Sequence, residues 1–170
     1  MEHVSIDEIE AVPHFMGANS HRKPLARAVE GMGFACTYFE LEPGESFSGG
    51  LHTHHDQEEL FVVLEGTATF ETATGPGAER ETVVVGPRGA IHFEAGGDFQ
   101  QGRNETDSVV QGFALGVPGS RHEWAEVKAL LDCPECAAER VFEFEPDDGD
   151  DRMPDPAAVT TVCSVCGHEL

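Results

Sequence analysis

The chain of 170 residues has room for one domain and a small appendage, and an apolar fraction of 39% supports a compact core. Its formal net charge of −22, from 32 Asp and Glu against 10 Lys and Arg, argues against a surface built for nucleic acid or anionic membranes. Lysine occurs only at Lys23 and Lys128; such dispersed acid with scarce lysine points to a salt-loving source, because the repulsion is screened when the Debye length falls to about 3 Å near 1 M salt.

The first residues, Met1-Glu2-His3-Val4, do not have the basic and then apolar pattern of a secretory leader. No apolar run approaches the roughly 18 residues of a membrane span, so the expectation is a soluble, cytoplasmic protein. Ser5-Ile6-Asp7-Glu8 has the capping-box pattern and predicts a short helix over 6–11, ended by Pro13. Residues 14–32, with Gly17, Pro24 and Gly31, complete an N-terminal arm over 1–32.

From residue 33 to 120, short strand signals recur at 34–41, 59–64, 66–72, 81–85, 90–94 and 108–116. Turn markers stand between them, among them Pro43-Gly44, Gly49-Gly50 and Gly75-Pro76-Gly77. This rhythm predicts an all-β sandwich or barrel. Within it lie two blocks that carry chemistry. In the first, His52 and His54 are two apart on a strand and so project to one face, with Glu58 or Glu59 available as carboxylate. In the second, Pro87, Gly89 and His92 follow one another in a turn-to-strand segment. Two or three imidazoles with a carboxylate make a site for a divalent transition metal. His55 breaks the alternation and is assigned to the mouth of the site. Phe61 and Val63 alternate with Glu59 and should face inward, while Tyr38 and Arg103 are the further polar candidates.

His52, His54, Glu59 and Gly66 fall at the spacings of the first cupin motif, and Pro87, Gly89 and His92 match the core of the second. Residues 33–118 thus resemble the cupin superfamily. Glu81 and Gly96 stand where that pattern usually has glycine and asparagine. The resemblance implies a double-stranded β-helix, a jelly-roll barrel holding one metal through His52, His54, Glu59 and His92. Iron, manganese, nickel, cobalt or zinc would suit such a shell, acting on a small molecule. Dioxygenase chemistry is the leading expectation. A cupin isomerase, and a non-catalytic ligand-binding or sensing module whose appendage contacts a protein partner, are the alternatives. A homodimer is left open.

Beyond the barrel, Trp124, Val127, Leu130 and Leu131 recur at helical spacing and predict a connecting helix over 121–132. Residues 133–170 hold two knuckles, Cys133-Pro134-Glu135-Cys136 and Cys163-Ser164-Val165-Cys166. Two CxxC turns present four thiolates to one tetrahedral ion, so Cys133, Cys136, Cys163 and Cys166 predict structural zinc, with iron as rival. Arg140–Glu145 and Ala158–Val162 should form the hairpin of a zinc ribbon, joined by an acidic loop over 146–156. The fifth cysteine, Cys36, sits in an apolar run and reads as a small buried side chain. Bacterial 3-hydroxyanthranilate dioxygenases resemble this order of a cupin followed by four cysteines. Their iron shell, however, has no paired HxH and a longer gap before its glutamate.

Overall fold

A computed structural model describes residues 1–14, 16–146 and 159–170. The acidic run from Asp147 lies outside the described residues. Twelve strands are described: β1 (His21–Pro24), β2 (Ala35–Leu41), β3 (His52–His54), β4 (Glu58–Glu65), β5 (Ala68–Ala73), β6 (Glu81–Val85), β7 (Ala90–Phe93), β8 (Phe99–Arg103), β9 (Val110–Val117), β10 (Val127–Cys133), β11 (Ala138–Pro146) and β12 (Val159–Cys163). They form two antiparallel sheets, ordered β1-β2-β9-β4-β7 and β12-β11-β10-β3-β8-β5-β6. The all-β fold predicted by the strand rhythm is observed, in the jelly-roll form that the resemblance implied.

Alternation fills the space between the sheets. Phe39, Leu41, Phe47, Phe61, Val63, Phe70 and Val110 form the main buried cluster. Phe47 meets Phe39 and Phe61 edge-on at 5.1 and 5.2 Å and stacks on Phe70 at 5.8 Å. Phe70 is fully buried, and truncating such a side chain to Ala costs about 3–5 kcal/mol. Gly66, the last position of the first motif, has φ +76°, and a Cβ there would lie 2.6 Å from the Val109 carbonyl oxygen. Only glycine turns the chain in that space.

Two predicted helices do not form. Residues 6–8 make a single 3-10 turn, in which the Ser5 side chain makes no capping hydrogen bond. The segment predicted as a connecting helix is a 3-10 turn at Trp124–Glu126 followed by strand β10. Val127, Ala129 and Leu130 are buried there, and β10 pairs with β3 on one side and β11 on the other. Two ladders of interstrand bonds outweigh a weak helical periodicity over so few residues. Strand β1 also draws the N-terminal arm into the first sheet, with His21 opposite Glu40 and Pro24 opposite Thr37.

The ribbon is thus a continuation of the second sheet. Leu130 joins Leu51, Ala73 and Phe99 in a cluster beneath β3. On β11, Glu139 accepts a hydrogen bond from the Gly77 amide at 2.8 Å and pairs with Arg80, tying the ribbon to the β5–β6 loop.

Candidate metal centres and the cavity above the barrel

Strand β3 is three residues long, and its alternation separates the side chains. His52 and His54 point into the barrel, while buried Thr53 donates from its hydroxyl to the Gly97 carbonyl at 3.2 Å. Glu59, second on β4, faces the two rings. Its Oε1 is 3.6 Å from His54 Nε2 and its Oε2 is 3.8 Å from His52 Nε2. The donor atoms of His52, His54 and Glu59 all lie within 4.8 Å of one another. Glu58, the neighbour that spacing alone left as an alternative, is exposed on the other face.

Supporting contacts orient these donors. His52 Nδ1 lies 3.0 Å from the Gly50 carbonyl; the carbonyl can only accept, so Nδ1 carries the proton and Nε2 presents its lone pair. Gln100 on β8, nearly fully buried, donates from Nε2 to Glu59 Oε2 at 2.6 Å and lies 3.4 Å from His52 Nε2. Burial shifts all three titrating groups toward neutrality. It lowers His52 below its usual value against opposing hydrogen bonds at Gly50 and Gln100. It takes His54 down to about 2, helped by His52 and His122, and it pushes Glu59 up to about 7 against the Gln100 hydrogen bond. Neutral imidazoles are the ligand form, and a carboxylate that burial penalises is one that a divalent cation would stabilise. The donor set therefore fits a metal such as iron(II), manganese, nickel, cobalt or zinc.

His92 does not join them. On β7 it pairs across to Leu60, and its Nε2 meets Glu58 Oε2 at 2.7 Å on the exposed face of β4. Its neighbours Ile91 and Phe93 point inward instead and pack on the main core. The turn before β7 sets this register: the Arg88 amide donates to the Val63 carbonyl at 2.7 Å, and the Val63 amide to Gly89 at 2.9 Å. In a strand, one residue of register exchanges every side chain between faces.

A different histidine stands near the site. His122, in the loop after β9, packs its ring 4.6 Å from that of His54 and 4.8 Å from Trp124. Burial lowers it to about 4. Its placement comes from the four residues between His54 and Glu59. Gln57 donates from Nε2 to the carbonyls of Pro118, Gly119 (3.0 Å) and Arg121 (2.8 Å), and Asp56 accepts from the Glu123 amide at 2.6 Å. No periodicity marks His122, and the spacing of the two blocks does not point to it.

Above the triad opens a cavity of about 1200 Å³. Phe61, Trp124 and Phe144 supply apolar wall, and His14, Arg22, Arg27, Arg121 and His122 supply polar wall. Val63 lies deeper, in the core. Tyr38 points elsewhere, donating to Glu40 at 3.2 Å, and Arg103 donates to Gln101 at 3.1 Å. His55 is exposed, its ring beside Gly96. Cys36 is buried, and burial raises its thiol pKa.

The four cysteines converge at the far end of the second sheet. Their sulfur atoms lie within 4.8 Å of one another, Cys133 and Cys166 at 3.6 Å. Cys133 and Cys163 end β10 and β12 and pack with fully buried Phe142. Positive φ at Ala137 (50°) and Gly167 (73°) closes the knuckle turns. Burial opposes ionisation of Cys163, but the Cys166 and Val165 amides, with hydrogen bonds from the Cys133 and Cys166 thiols, together outweigh it and bring the thiol to about 7. This cluster is zinc-ribbon-like.

Fold and site together define a small β-barrel protein with metal-ready groups at its open end. Residues 37–115 match the Cupin domain family, and the barrel is a cupin domain. A sugar phosphate isomerase of the cupin superfamily from Silicibacter pomeroyi is similar in fold, at 19% identity and TM-score 0.58, covering 98% of this chain and 95% of that one. An uncharacterised double-stranded β-helix protein from Klebsiella pneumoniae aligns at 15% identity and TM-score 0.53, over 70% and 91% of the two chains. No curated protein sequence is similar enough to count as a match. No helix among the described residues is long and apolar enough to cross a membrane.

Proposed function

We propose that the protein is a mononuclear-metal enzyme of dioxygenase type acting on a small molecule, with the metal held by His52, His54 and Glu59. The observation that supports this is the donor set itself: two neutral imidazoles and one carboxylate, grouped at the floor of an open cavity. Two histidines and one carboxylate on one side of an ion leave adjacent positions open, the arrangement used by non-haem iron(II) oxygenases. Bound there, the ion would supply Lewis acidity or, as iron(II), reactivity toward dioxygen. The chain's own part is orientation and exclusion. Gln100 fixes the Glu59 carboxylate, the Gly50 carbonyl fixes the His52 tautomer, and Phe61 and Trp124 give the space around the reacting groups an apolar lining.

The test begins with metal analysis of freshly purified protein. Anaerobic loading with iron(II) and a screen of small aromatic and hydroxy acids at a dioxygen electrode then follow. Dioxygen uptake matched to substrate loss is the expected result. Turnover without dioxygen uptake would instead favour an isomerase, the activity named for the Silicibacter pomeroyi protein. Ligand binding with no turnover would favour a sensing module.

We also infer that the four cysteines hold structural zinc, and that the acidity is an adaptation to concentrated salt. A colourless protein with one zinc per cysteine cluster supports the first point, and a red one would show iron. Thermal midpoints several degrees higher in about 2 M than in about 0.1 M salt are expected; equal midpoints would remove the second.

A further inference from the structure

Arginine is unevenly placed in this chain. Acids outnumber bases by 32 to 10 overall, yet the described lining of the cavity holds three arginines, Arg22, Arg27 and Arg121, against two carboxylates, Glu30 and Glu59. One of those carboxylates belongs to the triad. The three arginines come from separate places: β1, the 3-10 turn Leu25–Arg27, and the loop after β9. Folding, not a local basic run, brings them to one cavity.

Arg22 and Arg27 lie close to each other on the cavity wall. Burial lowers the Arg22 guanidinium below its ordinary value and the nearby Arg27 adds to this. His14, lowered to about 4 chiefly by burial, is also held down by Arg22 and by His52. On the other side, Arg121 lies near His122, where the Asp56 carboxylate opposes it. In a cleft with low-dielectric walls such charges focus the field and concentrate anions, against the repulsion of the acidic exterior. Guanidinium groups also fit carboxylate and phosphate oxygens with paired hydrogen bonds.

We infer that the cavity selects a small substrate bearing a carboxylate or phosphate group, which Arg22, Arg27 and Arg121 hold while the rest of the molecule reaches His52, His54 and Glu59. This rests on the reading of the cavity as the substrate site. It deepens that reading by naming the substrate class. A neutral compound of the same size gains nothing from this wall, and a cation is repelled by it.

The test uses the full chain with its metal content measured, titrated calorimetrically at fixed ionic strength with inorganic phosphate, with malonate and with neutral glycerol. Arg27→Gln and Arg121→Gln are combined, because both side chains are exposed, with the fold of the double variant checked by circular dichroism; half-buried Arg22 is left in place. At least one anion should bind while glycerol does not. The double variant should bind that anion about tenfold or more weakly, the loss expected for one charge-assisted hydrogen bond, with unchanged metal content. Tighter phosphate binding would assign a phosphate ester, and tighter malonate binding a carboxylic acid. If neither anion binds the loaded protein, or the double variant binds as tightly as the parent, the inference falls. Repeating the titration on metal-free protein separates the two readings. Anion binding that survives metal removal and depends on the arginines supports this inference even if the triad proves to hold no metal.

Discussion

The barrel triad and the cysteine cluster reach metal-ready geometry by opposite routes. In the barrel, two sheets and an aromatic core fix β3, β4 and β8 first, and His52, His54, Glu59 and Gln100 take their positions from that frame. Among the described residues of the ribbon, the buried apolar support of the cysteines is little more than Phe142 with partly buried Leu131, and the cysteines themselves complete the cluster. The scaffold holds the ligands in one case, and the ligands hold the scaffold in the other. Four thiolates also close a tetrahedral shell, while two imidazoles and a carboxylate leave room for a substrate.

Substitution of the ligands separates the two most sharply. His54→Ala should lower metal affinity in the barrel by about 100-fold or more, since even supporting residues cost 10–100-fold. Elemental analysis should show the cysteine site still loaded and circular dichroism an intact barrel. Full barrel occupancy would remove the triad assignment. Cys166→Ser should do the reverse: metal leaves the ribbon, and limited proteolysis cuts near β12, while the barrel metal stays. A protected C-terminus in that variant without metal would show that burial alone folds the ribbon.

Smaller effects refine the barrel side. Gln100→Leu removes the donor to Glu59 and should weaken metal binding about tenfold, within the range for residues that orient ligands. His92→Ala should leave metal affinity unchanged, because that ring pairs with Glu58 on the outside. A large loss there would mean that β7 shifts register when metal binds.

Most of both sites could be read from spacing, because each rests on local rules. Alternation on a strand places His52 with His54, six residues separate Glu59 from the turn at Gly66, and a CxxC turn is complete within four residues. What could not be read depends on distant partners. The face of His92 is set by how the Arg88–Gly89 turn bonds to Val63. The strand at 127–133 owes its existence to β3 and β11, although Val127, Ala129 and Leu131 already alternate as well as they fit a helix. His122 is delivered by the grip of Gln57 and Asp56 on a loop more than sixty residues away.

The pairing of β10 with β3 bears on where this protein can be divided. Val127 lies opposite His54, and Ala129 opposite His52. A chain cut at residue 120, after the last strand of the cupin domain, would strip one side of the strand that carries both histidines. Its amide and carbonyl groups would then form an open sheet edge, a template for pairing with another molecule. The short β3 would also keep only its pairing with β8 at His52 and lose the three with β10, next to the residues that would grip a metal. The smallest piece able to keep the His52–His54 strand in place therefore includes the strand that runs on into the first knuckle, and the ribbon serves the barrel as its retaining wall.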